Sequence, residues 1–285
     1  MGALLGFEKL IDSQIKHPSN MQNRIVENCS SLRFQPLKRL CEGEILALRI
    51  PAFFSKSECQ QILLNLNAKN SQLGKYDNAS ELNIYRLGMS HFETRFNPSL
   101  VDKYFSSSIH FPGVFSKLCS PVKSPFERLL SEFESIWPGG VAPQMLDEKR
   151  MMPGLVRVIG EDQIFPPHQD LLTRDCPRLP QDEHPLSQLA VNVYLQNFED
   201  GGELEVWDYA PDDEEVKSLY TGTHDFIDRE KIPIKSHRIK PEPGDLILIQ
   251  SGKLHAVRSG SGGKRVAFSC FVANRGTERP LTYWI

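Results

Sequence analysis

Five extended segments fill the second half of this chain, and they limit its possible folds more than any other feature. Residues 155–159, 188–195, 202–207, 245–250 and 265–273 are rich in β-branched and aromatic side chains. Gly, Pro, Asn and Asp punctuate them. Parallel strands need crossovers of about a dozen residues or more, usually helical. Most of these connections carry no helical pattern, so an antiparallel barrel or sandwich is expected rather than a doubly wound sheet.

The first half reads differently. A strand over 44–50 is closed by Pro51. Ser55 followed by Glu58 forms a capping box, and Ile62, Leu63 and Leu66 then recur at helical spacing. A short strand is expected over 83–88, with helices over 99–107 and 124–137. The second helix carries Phe126, Leu129, Leu130, Phe133 and Trp137 on one stripe. The expected fold class is therefore mainly β with flanking helices. Residues 1–43 read as an N-terminal extension that includes an amphipathic stretch over 7–15. Residues 44–285 read as one domain with insertions near 171–187 and 208–236, the latter holding the acidic run 212–215.

Composition removes several functions. The 33 Lys and Arg against 36 Asp and Glu leave a net charge of −3, which gives no basic field for nucleic acid. No uncharged apolar run approaches the roughly 18 residues that span a bilayer. The N-terminus lacks the basic region and small-residue cleavage site of a secretory signal. The 6 cysteines include no CxxC pair, which fits thiols of a reducing compartment, so a cytoplasmic protein is expected.

The chemistry-bearing candidates lie in the β half. His168-Gln169-Asp170 is the one HxD in the chain. In extended backbone, residues i and i+2 point to the same side, so an imidazole and a carboxylate can reach one ion. Two histidines and one carboxylate occupy one face of an octahedron, the donor set of non-haem Fe(II) oxygenases. Four histidines lie downstream: His184, His224, His237 and His255. His184 and His224 fall in the insertions, and His237 precedes Pro241. His255 has the strongest setting, after the Pro243-Gly244-Asp245 turn and the apolar strand that follows it. Arg265 opens the returning strand, and a guanidinium in an apolar barrel needs an anion. Lys264 competes for that role, since a register error of one residue swaps faces.

Together the segment from Phe54-Ser55 to Cys59, the HxD, and Asn192 to Leu195 with Gly201-Gly202-Glu203-Leu204 resemble the Fe(II)/2-oxoglutarate-dependent dioxygenase superfamily. So do the Pro243-Gly244-Asp245 turn and the His255/Arg265 pair. The resemblance runs in order over about residues 44–275. Within the superfamily the chain is similar to the prolyl-4-hydroxylase-like branch. The 155–170 segment and the closing Leu281-Thr282-Tyr283-Trp284 resemble stand-alone enzymes acting on cyanobacterial indole alkaloids, among them aliphatic halogenases with an HxG motif.

The resemblance implies a double-stranded β-helix (a cupin-like jelly roll), with Fe(II) on His168, Asp170 and His255. It implies 2-oxoglutarate with its far carboxylate on Arg265, O2 as co-substrate and ascorbate as a reductant. Asp170 fills the position that a halogenase leaves open for chloride, so hydroxylation, desaturation or cyclisation is expected instead. Many relatives have Ser two residues after the arginine, where this chain has Ala267. Asn192 and Tyr194, on one face of their strand, become the candidates for that extra hydrogen bond. Arg157, 11 positions before His168, reads either as a solvated strand residue or as a substrate contact. The expected partner is a small amino-acid-derived metabolite or alkaloid, without nucleic acid or membrane. A peptide prolyl-type hydroxylase and a non-catalytic jelly-roll binding domain are the competing readings.

Overall fold

The computed structural model describes residues 26–68, 73–76, 83–221 and 224–285. Two β-sheets face each other across the domain. The major sheet runs in the order Val26–Asn28, Ala47–Ile50, Leu246–Gln250, Ser187–Gln196, Arg265–Asn274, Leu155–Ile159, Ile84–Leu87 and Gly74–Lys75. The minor sheet runs His237–Ile239, Leu204–Val206, His255–Val257 and Phe165–His168. The central pairings of both sheets are antiparallel. The Val26–Asn28 and Ala47–Ile50 strands at one edge run parallel, as does the Leu281–Trp284 strand beside Val141–Pro143. This is the antiparallel two-sheet arrangement that the strand pattern predicts, and the jelly roll that the family resemblance implies.

Alternation along each strand divides the core in two. On the outer face of the major sheet, Leu189, Val191, Val193, Leu246, Leu248, Phe268 and Val272 are fully buried. They pack against the Phe34–Cys41, Lys56–Ala68, Val101–Cys119 and Pro125–Ile136 helices through Leu40, Ile62, Phe115 and Phe126. Phe268 lies parallel to Phe115 with ring centroids 5.4 Å apart. On the inner face, Ala190, Tyr194, Ile247 and Ala267 meet Leu204, Val206 and Ile239 of the minor sheet. That inner layer is where the chemistry sits.

Local signals place the helices. Ser55 and Glu58 form their reciprocal bonds at 2.8 and 3.2 Å ahead of the Lys56–Ala68 helix. Ser124 and Glu127 do the same for Pro125–Ile136. The helix expected over 99–107 runs instead from Val101 to Cys119, through Pro112. A proline inside a helix costs about 3 kcal/mol. Buried Phe111, Phe115, Leu118 and Cys119 extend the apolar stripe beyond it and outweigh that cost. The acidic run at 212–215 is also helical at its core. Asp212 caps the Asp213–Leu219 helix by accepting from the backbone N–H groups of Glu214 and Glu215, each at 2.9 Å.

Residues 26–43, read above as an extension, enter the domain. They supply an edge strand of the major sheet and a helix whose Leu37 and Leu40 are fully buried. The amphipathic stretch at 7–15 lies outside the described residues. All six cysteines are buried and unpaired. Among the described residues no helix is long and apolar enough to cross a membrane.

Candidate active site

The site begins with a cross-strand pair. His168, the last residue of its strand, stands directly opposite His255, the first of the next. The two rings lie 4.3 Å apart, centroid to centroid. Asp170 follows two residues later, and Ser251 and Gln188 fix its backbone. Its N–H donates to the Ser251 carbonyl at 2.9 Å, and its carbonyl accepts from Ser251 Oγ at 3.0 Å and Gln188 Nε2 at 3.1 Å.

Hydrogen bonds behind the rings settle which nitrogen faces the cavity. His168 Nδ1 lies 2.8 Å from the Pro166 carbonyl and His255 Nδ1 lies 2.9 Å from the Lys253 carbonyl. A carbonyl oxygen only accepts, so both Nδ1 atoms carry hydrogen and both Nε2 atoms present lone pairs. Those Nε2 atoms stand 3.7 and 3.2 Å from Asp170 Oδ2. The three donor atoms all fall within 4.8 Å of one another. Three lone pairs aimed at one point repel unless a cation lies between them, and two imidazoles with one carboxylate suit Fe(II). The backbone carbonyls behind the rings are the outer supports such ligands require.

Electrostatics keep this set ready to bind a cation. Burial alone would raise the Asp170 carboxyl, but His168, His255 and Arg157 overcome it and hold the group at about 2. Burial, with His255 beside it, lowers the His168 imidazole below its ordinary range, so the ring is neutral at neutral pH. The His255 side chain is 8% exposed, whereas those of His168 and Asp170 are 38% and 29% exposed. The site therefore opens on the His168–Asp170 side, with His255 as its floor.

Deeper in the barrel lies Arg265, 4% exposed. Its guanidinium donates to the Tyr194 hydroxyl at 2.9 Å and to the Gly202 carbonyl at 3.2 Å. Gly202 has a φ of +70°, and a Cβ there would meet the Phe198 ring at 2.6 Å. Glycine is thus what allows that carbonyl to reach the arginine. Among the described residues no carboxylate pairs with Arg265, so the chain holds a buried cation in want of an anion. The far carboxylate of 2-oxoglutarate fits that requirement. Lys264, the competing candidate, is exposed.

Tyr194 therefore stands at the guanidinium, as alternation suggests. Asn192 accepts from Ser269 Oγ at 2.7 Å through its amide oxygen, which leaves the amide N–H groups as donors. Arg157 lies beside Ala267 on the strand next to Arg265 and faces the same interior. Its Nε donates to the Tyr76 hydroxyl at 3.0 Å, and its guanidinium lies 5.5 Å from the centre of the Phe165 ring. The remaining histidines fall away. His237 occupies the row of His255 but on the far side of Val206. His184 reaches the Leu179 carbonyl at 3.1 Å, and the side chain of His224 lies outside the described residues.

Two residues with no signal of their own in the sequence join the site. Tyr76 comes from a segment without periodic pattern. Gln169 is the unspecified middle residue of the HxD, and its Nε2 donates to the Gly252 carbonyl at 2.7 Å and the Pro211 carbonyl at 3.0 Å. Its Oε1 accepts from Arg174 at 3.3 Å, and Arg174 also pairs with Asp213 at 2.7 Å. Gln169 thus ties the segment carrying two donors to the loop that delivers the third, and to both insertions.

Comparison with known proteins gives the family and the fold. The family model for the carrier-protein-independent halogenase WelO5 matches residues 27–285. The chain belongs to this family. It is thereby an Fe(II)/2-oxoglutarate-dependent oxygenase. It is also similar to an L-γ-glutamyl-L-propargylglycine hydroxylase from Streptantibioticus cattleyicolor, with 23% identity over 246 residues, covering 83% of this chain and 87% of the relative. An N-substituted L-amino acid dioxygenase from Burkholderia ambifaria AMMD shares the fold. Its structure superposes with a TM-score of 0.60 at 18% identity, covering 88% of this chain and 90% of that one. A second structure of that dioxygenase, in complex with α-KG, gives the same TM-score at 17% identity, over 87% and 90% of the two chains.

Proposed function

We propose that this WelO5-family protein hydroxylates an unactivated C–H bond of a small amino-acid-derived molecule. His168, Asp170 and His255 are its iron ligands, and Arg265 with Tyr194 is its 2-oxoglutarate anchor. The observation that carries this reading is Asp170. In a family described by its halogenases, this chain presents a carboxylate within reach of both imidazoles, so the third protein donor is present and no position is left among them for a halide. The hydroxylase and dioxygenase relatives, both named for amino-acid derivatives, support the substrate class.

Bound Fe(II) supplies the activation of O2 coupled to oxidative decarboxylation of 2-oxoglutarate, one oxygen atom going to succinate and the other to the substrate. The chain's own residues do the positioning. The Pro166 and Lys253 carbonyls hold the two imidazoles in the tautomer that leaves Nε2 free. Arg265, aimed by the Gly202 carbonyl and the Tyr194 hydroxyl, fixes the far end of the co-substrate and so its orientation at the metal. Val206, Ile247 and Ala267 keep water from that end of the cavity. The two insertions form the rim on the open side, where a substrate enters.

The test is turnover by protein loaded with Fe(II) under anaerobic conditions and then given O2, 2-oxoglutarate and candidate N-substituted amino acids in chloride buffer. Succinate should form in step with a product that gains one oxygen atom and no chlorine. His168→Ala and Asp170→Ala should abolish both, and succinate formation persisting in either variant would show the metal assignment to be wrong.

A further inference from the structure

We propose that Arg157 and Tyr76 form a docking point for a carboxylate of the substrate, so that the molecule oxidised is an anion. This rests on the reading of His168, Asp170 and His255 as the iron site and of Arg265 as the co-substrate anchor.

The argument begins with how Arg157 is held. Directly opposite it across the strand pairs lie Ala267 on one side and Arg86 on the other. Arg86 is spoken for, since Glu93 takes its charge and the Gly88 carbonyl accepts from it at 3.0 Å. Arg157 has no such partner. Among the described residues it forms no ion pair, and its single hydrogen bond is from Nε to the Tyr76 hydroxyl at 3.0 Å. That bond uses the Tyr76 oxygen as acceptor and leaves the phenolic hydrogen available. The Tyr76 ring in turn lies 5.0 Å from the Arg86 guanidinium, and Phe165 flanks Arg157 at 5.5 Å. Two aromatic rings and one neutralised arginine therefore steady a second guanidinium, whose terminal nitrogens bond to no described residue. A guanidinium fork beside a hydroxyl donor matches a carboxylate in shape and charge.

Charge balance shows which carboxylate. Asp170 offsets one of the two arginines, Arg265 and Arg157, that face the cavity. A divalent iron and the two carboxylates of 2-oxoglutarate cancel each other. With metal and co-substrate bound, one positive charge remains on the half-buried Arg157, which meets no carboxylate among the described residues, and a partly desolvated guanidinium gains from an anionic partner. A substrate bearing one carboxylate closes the balance. A neutral or cationic substrate does not.

The experiment uses the full-length protein loaded with Ni(II) and kept without O2, so that binding is read by calorimetry independently of turnover. The probes are a panel of N-acyl L-amino acids, each paired with its C-terminal carboxamide, titrated in the presence of 2-oxoglutarate. We expect acids to bind more tightly than their amides, and Arg157→Gln to weaken the acids roughly 10- to 100-fold. The amides and 2-oxoglutarate itself should change by no more than about twofold, and Arg157→Lys should restore part of the loss by returning the charge without the fork. Tyr76→Phe should weaken the acids alone, by about fivefold.

The proposal is overturned if amides bind as well as acids, or if no acid of the panel binds while 2-oxoglutarate does. It is equally overturned if Arg157→Gln weakens 2-oxoglutarate and spares the probes, since the carboxylate would then be the co-substrate's. Loss of Ni(II) or 2-oxoglutarate binding by the unaltered protein would instead defeat the underlying assignment of the iron and co-substrate site.

Discussion

At the scale of single residues, the inner face of the barrel gives each polar group a separate measurable task. Arg265 is buried with a tyrosine and a carbonyl for company and no described carboxylate. Arg265→Gln should raise the KM for 2-oxoglutarate by roughly two orders of magnitude, because a desolvated charge pair is lost. Tyr194→Phe removes one hydroxyl from the same place and should raise it only about fivefold. Asn192→Ala should raise it less than Arg265→Gln, since it removes at most one neutral amide donor, the Asn192 oxygen already accepting from Ser269. Initial-rate measurements over a range of 2-oxoglutarate concentrations separate the three. Much of this level is legible in the chain. The HxD spacing and the buried strand before His255 follow from backbone periodicity, whereas the choice of Arg265 over Lys264 needs the register that the structure supplies. Tyr76 is not legible, because its relation to Arg157 arises from two segments some eighty positions apart, joined only by the turn of the sheet.

At the scale of elements, helix starts are the best-read features and helix ends the worst. Ser55 with Glu58 and Ser124 with Glu127 announce their helices through side chains that replace missing backbone partners. The end of the Val101–Cys119 helix carries no such notice, being set by what Phe111 and Phe115 pack against. Glu58 also serves a second element. It accepts from Arg128 of the Pro125–Ile136 helix, and this bond chiefly, against the opposing effect of burial, lowers its carboxyl from 4.5 to about 2. A depressed carboxyl contributes stability that is complete above about pH 4.5 and is lost as pH falls towards 2. Arg128→Met keeps apolar bulk over the Phe54 ring but removes the charge. The variant should be less stable than wild type at neutral pH, with the difference shrinking between pH 4.5 and 2, as urea midpoints along a pH series would record.

At the scale of the whole molecule, two hydrophobic layers divide the work. The outer layer, between the major sheet and the helices, carries stability. Phe268 is fully buried there against Phe115 and Phe126. Phe268→Ala should cost about 3–5 kcal/mol in denaturant unfolding, a loss well away from the metal donors. The inner layer carries chemistry, and it holds two arginines, Arg265 and Arg157, on neutral partners with no described carboxylate. The antiparallel sheets are readable because their strands announce themselves by alternation, whereas the jelly-roll order of those strands comes from the family resemblance. The insertions are less readable, since their anchoring depends on groups brought together from separate loops.

Gln169 is where that anchoring meets the metal segment. Gln169→Ala should weaken metal binding by less than the roughly 10- to 100-fold that follows loss of a group bonded to a ligand itself, because Gln169 acts through the Gly252 backbone. Titration of the protein with Co(II), followed by its visible absorption, would measure it. Because one amide holds the Gly252 carbonyl, the Pro211 carbonyl and Arg174 together, the proposed substrate rim and the loop that carries His255 are mechanically one part. Under the proposed iron assignment, exchanging the 208–236 segment should also change how firmly iron is held. Libraries aimed at new substrates through that segment should therefore be screened at saturating iron, or good binding pockets will be discarded as dead enzymes.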